Sequence, residues 1–473
     1  MKRLGFKKIA YIFLTLVFLC PVLTGCASYV VDDFMAGEYK KAMIEIMEGH
    51  PWETAAERRA KDRTIVRNST DDNTETVEEE TKEKPSEAVD KGKEKANKKK
   101  KDKDKKKKTE EPDTIEADEV ADALIGKSNF TYKDIEDKKA EIIEEPNFNF
   151  YYSQLNDAKK NLYAQLYMIV ERHAENETLI TLDVDAVDET FLCLVNDHPE
   201  FYYVSGYSMN EYSIGNKRDS LEFTPAYTKT AQEIEGYNNK IYDYASECLA
   251  LCPKGDDYET IKYIYEYIIR HTEYNLSAPE NQNILSVFIN GSSVCNGYAK
   301  ATQYLLDRLN IPCILVSGTA STGESHAWNM VLSNGKWYFL DTTWGDASYT
   351  GNAALEIPDV NYDYLCANKS IMRRTHHLKN KYDLPPCEWL DDYYYVREGT
   401  YFTWFDEEKL KNLIVDKKNK GQQLLFIKCD KAALYHEMIK ELFTKGRISE
   451  FMYNATDVHY VRMDDSYNLL IYL

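Results

Sequence analysis

The chain has 473 residues, long enough for two or three domains. Its formal charge of -20 argues against DNA or RNA as a standing partner, because a phosphate backbone calls for a basic face. Ten cysteines are too sparse at this length for a disulfide framework, and the 37 tyrosines point to aromatic-rich strands and helices.

Lys2, Arg3, Lys7 and Lys8 precede an apolar run from Ile9 to Leu19, and Leu23-Thr24-Gly25-Cys26 follows. A short basic-then-apolar start that ends in small residues reads as an export signal, not a permanent span. The ending resembles the lipobox of bacterial lipoproteins. The resemblance implies removal of residues 1–25, lipid on Cys26 and an extracytoplasmic place in the cell envelope. Two or more acyl chains would make that membrane anchor stable. No later stretch approaches 18 uninterrupted apolar residues, so no further span is expected.

Residues 26–118 read as a membrane-proximal segment and a charged linker. Met35, Ala36, Tyr39, Ala42, Met43, Ile46 and Met47 suggest one short helix. From Trp52 to Asp118 apolar anchors are scarce, and Lys91 to Lys108 is dominated by charge. Such a segment cannot offset the entropy of ordering, so a solvated, disordered spacer is expected.

Residues 119–255 read as an α/β companion. Leu155, Ala158, Leu162, Leu166, Ile169 and Val170 repeat at helical spacing within Tyr151–Ala174. Short strands are expected at Phe201–Ser205 and Leu221–Phe223, and a helix at Thr230–Leu251. Cys248 and Cys252 share one face of that helix, and no other feature suggests a bridge. A further helix, Tyr258–His271, opens the central unit at 256–390. Residues 391–473 form a C-terminal α/β module. Its strands are expected at Gln422–Lys428, Val458–Met463 and Leu469–Leu473, with a helix at Lys431–Phe443.

The chemistry lies between Ser293 and Asp346. Tyr298, Ala299, Thr302, Leu305, Leu306 and Leu309 predict a helix that Asn310 and Pro312 end, so Cys295 falls in its first turn. Free backbone N–H groups and the helix dipole there favour a thiolate. The same N–H groups can receive the oxyanion formed when a carbonyl is attacked. Gln282, through its side-chain amide, is a candidate second donor. Gly297 would let other backbone approach closely. Cys313, inside the run Ile311–Val316, is core filler by the same logic.

Two strand-like stretches, His326–Leu332 and Lys336–Asp341, flank Ser333-Asn334-Gly335. Asn-Gly between apolar alternations is a strong hairpin signal. With Asn334 and Gly335 as the loop, Ser333 pairs with Lys336, Leu332 with Trp337, Met330 with Phe339 and Trp328 with Asp341. His326, Trp328 and Asp341 then share a face, with His326 and Asp341 diagonal neighbours roughly 7–8 Å apart at Cα. A one-residue slip would turn Asp341 away. Cys295 can attack an acyl carbon, His326 can move the proton, and Asp341 can orient the imidazole. Trp328, Trp344 and Tyr298 are expected to line the substrate path. His376 and His377 invite a metal reading, but no third ligand stands at suitable spacing. No metal or other cofactor is expected.

The strings Val294-Cys295-Asn296-Gly297-Tyr298-Ala299, His326-Ala327-Trp328-Asn329 and Trp337-Tyr338-Phe339-Leu340-Asp341-Thr342-Thr343-Trp344 resemble the transglutaminase-like superfamily in its bacterial exported branch. The resemblance spans about 110 residues with the Tyr274–Gly291 stretch included. It implies an α+β fold, a papain-like core with a cysteine-bearing helix packed on an antiparallel sheet. It places nucleophile, base and third member on Cys295, His326 and Asp341. The implied activity is attack on peptide or protein amides, resolved by water or by an amine. Peptide, envelope protein or cell-wall peptide is the expected substrate. The competing expectation is an inactive lipoprotein that uses the fold to bind protein or wall polymer.

Overall fold

The computed structural model describes residues 122–145, 148–346, 359–379, 381–452, 458–464 and 466–473, together with strand 65–67. The export signal, Cys26, the Asp32–Met47 pattern and the lysine-rich run lie outside the described residues. Within the stretch expected to lack order, Ile65–Arg67 forms β1, parallel to β3 (Val204–Ile214), with Ile65 opposite Met209. Two adjacent β-branched residues give this short piece its strand character.

After a helical turn at 122–125, the companion continues with helix Tyr132–Glu144, whose N-terminus Thr131 and Asp134 close as a capping box. The expected single helix over Tyr151–Ala174 is two: Phe150–Ser153, then Asp157–Glu171 capped by Asn156. Helix Val184–Asp197 is capped by Asp183, and β2 before it holds only Glu177–Thr178. The strands at 201–205 and 221–223 are parts of a longer hairpin, β3 with β4 (Lys217–Tyr227). Its distal half is exposed and polar, so it lacks the alternation that marks a half-buried strand. The sheet order is β1-β3-β4-β2. Helices Ala231–Ala250 and Asp257–His271 follow, capped by Thr230 and Asp256.

The central unit holds the short parallel pair β5 (Glu273–Tyr274) and β6 (Ser292–Ser293), then the cysteine helix Cys295–Asp307. Strands β7 (Cys313–Ala320), β8 (Ser325–Ser333), β9 (Lys336–Leu340) and β10 (His376–Leu378) form an antiparallel sheet in the order β10-β7-β8-β9. The cysteine helix packs on this sheet. Asn329 Nδ2 of β8 donates to the carbonyl of Ala299 at 3.0 Å, a buried bond that ties helix to strand. The α+β architecture is the expected one. Tyr362–Tyr364 is a 3-10 turn.

One cluster of buried side chains runs from Phe130 through Leu166, Phe191, Ile264, Leu305 and Trp328 to Tyr395. Companion and central unit therefore share a core. Tyr151 Oη donates to the carbonyl of Leu315 at 2.5 Å, and Gln303 Nε2 donates to that of Asn196 at 3.0 Å, both across this seam.

A second cluster, from Phe402 to Ile471, belongs to the C-terminal module. There β11 (Tyr401–Phe402), β12 (Leu424–Cys429), β13 (Tyr460–Met463) and β14 (Asn468–Tyr472) order as β11-β12-β14-β13. The module also holds helix Glu407–Asn419, whose weak apolar stripe hid it in the sequence. Among the described residues no helix is long and apolar enough to cross a membrane.

Candidate active site

Cys295 is the first residue of its helix, with Val294 in extended conformation before it. No side chain caps this end, so backbone N–H groups stay directed past the sulfur. Gly297 permits the tight approach of the preceding loop. A Cβ there would stand 2.0 Å from Ser293 Oγ and 2.7 Å from Ser286 Oγ.

Across the sheet, the β8–β9 ladder pairs Ser333 with Lys336, Leu332 with Trp337 and Met330 with Phe339. Asn334 and Gly335 both adopt positive φ, 48° and 78°, as a two-residue hairpin turn requires. The expected Trp328–Asp341 pair is not made. The ladder stops at Asn329–Leu340, and the Asp341 N–H turns aside to the carbonyl of Tyr364 at 3.1 Å.

That departure creates the site. Asp341 caps the short helix Thr342–Gly345, its Oδ1 accepting from the backbone N–H of Thr343 at 2.9 Å and Trp344 at 3.1 Å. Its Oδ2 lies 2.7 Å from His326 Nε2 and 2.8 Å from His376 Nε2. Four donors thus converge on one buried carboxylate, which fills its acceptor capacity. Burial alone would push the Asp341 carboxyl up. The charge of His326 and the bonds from both imidazoles outweigh it and hold Asp341 well below the usual carboxylate range.

His326 shows the reverse balance. Burial pulls its imidazole down, but the Asp341 charge and hydrogen bond, with a further bond to the Cys295 side chain, lift it to about 10. Because Nε2 faces Asp341, Nδ1 is the ring atom left for Cys295. Cys295, His326 and Asp341, the candidate nucleophile, base and orienting carboxylate, are therefore brought together. Cys295 is 7% exposed and His326 2%. Tyr274 also belongs to this neighbourhood. The β5–β6 register sets it opposite Ser293, two residues before the thiol. Burial, then the charges of Cys295 and Asp341, raise its phenol.

His376 is the site residue that sequence reasoning missed. Its metal reading failed for lack of a third ligand nearby in sequence, yet the structure supplies Asp341 and His326 from other strands. The candidate ligand atoms of these three side chains all lie within 4.8 Å of one another, so the trio could hold a cation. Hydrogen bonding already accounts for its geometry.

Two other expectations need correction. Tyr298 is 0% exposed, its hydroxyl lying 2.9 Å from the Thr272 carbonyl and 2.6 Å from Asp346 Oδ2, so it is core and lines no substrate path. Trp328 is 1% exposed, stacked on His326 with its edge to His376, so it too is core and lines no substrate path. Gln282 sits beside Asn296, the neighbour of Cys295; one N–H of its Nε2 donates to Asn281 Oδ1 at 3.1 Å, and the amide carries a second. Trp344 remains half-buried over both imidazoles, with ring centroids 6.0 Å from His326 and 4.9 Å from His376.

All eight described cysteines are free thiols, Cys248 and Cys252 included. Burial pushes up Cys193, Cys248, Cys387 and Cys429, each to about 12, and Cys313 and Cys366 well above the usual range.

Comparison with known proteins returns the same region. The family model for the transglutaminase-like superfamily matches residues 250–342. Kyphoscoliosis peptidase of Homo sapiens is 28% identical over 105 residues, covering 19% of this chain and 16% of its own length. The Mus musculus protein matches to the same extent. The chain thus spans about a sixth of the curated relatives it matches. A crystal structure of a TGase shares 15% identity over 33% of this chain and 48% of its own, at a TM-score of 0.23. Residues 250–342 contain the cysteine helix and the hairpin whose ends hold His326 and Asp341, and this segment is a transglutaminase-like domain by its match to the superfamily model.

Proposed function

We propose that this protein is a surface-anchored thiol enzyme that attacks peptide or protein amides through an acyl-enzyme. The observation that carries the reading is the His326–Asp341 pair at 2.7 Å, with the imidazole also bonded to the cysteine at a helix start.

In this reading Cys295 attacks the amide carbon as thiolate while His326 holds the proton on Nδ1. The tetrahedral oxygen is met by backbone N–H groups of the helix start, including that of Cys295. His326 then protonates the departing amine, and the C–N bond breaks to leave a thioester. Water gives hydrolysis; a second amine gives transamidation. Asp341 stays ionised throughout and stabilises the imidazolium. The basic-then-apolar start and the Leu-Thr-Gly-Cys ending support a lipid anchor on Cys26 and a place at the outer face of a bacterial membrane. Envelope protein or cell-wall peptide would meet it there.

The full chain should be incubated with a glutamine-containing peptide and either water or a fluorescent primary amine, beside Cys295→Ala. Release of ammonia or a labelled product, lost in the variant, supports the proposal. Equal signal from both proteins would sink it.

A second reading, a binding protein that keeps the fold without turnover, is favoured by the near-complete enclosure of Cys295 and His326. Binding of envelope peptide that survives Cys295→Ala, with no product formed by either protein, would favour it.

A further inference from the structure

His376 reaches the site through a spacing built into the sheet. In β7, Gly318 pairs with His326 of β8, and Ala320 pairs with His376 of β10. Residues two apart in a strand share a face. The two histidines therefore lie on the same face, on opposite sides of β7, with only glycine and alanine between them. Gly318 is also where β10 comes close. A Cβ there would stand 2.1 Å from the His377 carbonyl oxygen and 2.7 Å from the Trp328 ring.

The rings of Trp328, Trp344 and Tyr364 enclose His376, with centroids 4.9, 4.9 and 5.4 Å away. The titratable groups facing it are Asp341, His326 and Tyr364, with Cys295 beyond His326. On its far side, Nδ1 lies 2.8 Å from Thr375 Oγ1, and Tyr364 Oη donates to that same Oγ1 at 3.4 Å. An ionised carboxylate only accepts, so Nε2 of His376 must carry a proton. Burial lowers this histidine, and the charge of His326 adds to the effect against the pull of Asp341. A neutral ring protonated on Nε2 has Nδ1 as acceptor, a role open to Thr375 Oγ1–H, with the Met372 carbonyl, which favours a proton on the ring, as the competing partner.

We propose that His376 is a positioning residue of the thiol site: its Nε2–H and that of His326 together lock Oδ2 of Asp341, and this sets the angle of the His326 ring toward Cys295. A chain of hydrogen bonds then runs Tyr364–Thr375–His376–Asp341–His326–Cys295. No bond is made or broken at His376, which keeps its proton through the reaction. The inference rests on the reading of Cys295 as nucleophile.

The test uses the full chain and an iodoacetamide probe, which needs no substrate. The rate of Cys295 alkylation is followed across pH for the native protein, His376→Phe, His376→Gln and Thr375→Val. Phenylalanine keeps the aromatic packing and removes the donor, whereas glutamine restores an N–H near Nε2. Loss of a charge-assisted bond should slow Cys295 by about tenfold in His376→Phe. It should also move the acid limb to higher pH, because Asp341 loses one of the donors that keep it ionised. His376→Gln should recover most of both. Thr375→Val, which frees the tautomer without touching the ring, should shift the limb in the same direction and serves if His376→Phe does not fold. An unchanged acid limb in a folded His376→Phe or in Thr375→Val overturns the proposal.

If native Cys295 reacts no faster than a denatured thiol, the enzyme reading fails by itself. The His376 proposal then stands or falls on the downfield N–H proton resonance of His326. That resonance should be present in the native protein and displaced in Thr375→Val; an unmoved resonance overturns it.

Discussion

His326 Nε2 and Asp341 Oδ2 stand 2.7 Å apart, and both side chains are enclosed. The pair ties stability to pH in two opposite windows. His326 is raised from 6.5 to about 10 in the fold, so its contribution is complete below pH 6.5 and is lost as pH rises through 10. Asp341 is lowered from 3.8, so its contribution is complete above that value and is lost on acidification below it. Thermal melting between pH 6.5 and 10 should show native stability falling toward that of Asp341→Asn. A constant gap across this range would contradict the assignment.

Thiol selectivity follows from the same geometry. Burial raises Cys193, Cys248, Cys252, Cys313, Cys366, Cys387 and Cys429, and Cys295 alone of the described cysteines contacts an imidazole lifted by a carboxylate. Brief alkylation at pH 7, mapped by peptide mass spectrometry, should mark Cys295 first among the eight. His326→Ala should reduce that labelling by 10²-fold or more, the usual scale for a lost proton-transfer partner.

Gly318→Ala should damage both stability and the site. The added Cβ meets backbone at the His377 carbonyl, which cannot rotate away. Strand β10 must shift, at a cost of about 1–3 kcal/mol for overpacking. The urea midpoint should fall, and Cys295 alkylation should slow in parallel because His376 moves with the strand. Ala320, two pairing positions further, is the control: Ala320→Gly should destabilise by about 1 kcal/mol without the same loss of reactivity.

The C-terminal module is latched to the central unit by Lys428. Its Nζ lies 2.8 Å from Asp363 Oδ1, and both groups are buried. Asn468 Nδ2 also donates to Asp363 Oδ1, at 2.5 Å. Removing one partner of a buried pair leaves an uncompensated charge, with a penalty of about 3–5 kcal/mol. Lys428→Met should therefore lower the unfolding midpoint by this scale, and adding Asp363→Asn should recover part of it. Strict additivity of the two substitutions in denaturant titrations would rule the coupling out.

The helix start at Cys295 and the hairpin register were legible because local rules govern both. Pro312 and Asn310 ended a periodic apolar pattern, and Asn334-Gly335 admitted one favoured turn. His376 was not legible. It stands 35 residues beyond Asp341 in sequence on a three-residue strand, and no local periodicity marks its partner across β7. Tyr298 and Trp328 were misread for a related reason: residue type suggests a substrate wall, but only the packed core shows which rings are sealed inside.

By itself, the sequence determined the three candidate site residues, their order, the helix that presents Cys295 and the turn that pairs β8 with β9. These depend on backbone propensities and alternation within about a dozen residues. Tertiary structure alone decided that Asp341 leaves the ladder to cap a helix, that His376 is its second imidazole donor, and that the companion shares the central core. Each of these joins distant segments through burial and hydrogen-bond saturation, which are properties of the assembled interior and of no single stretch of chain.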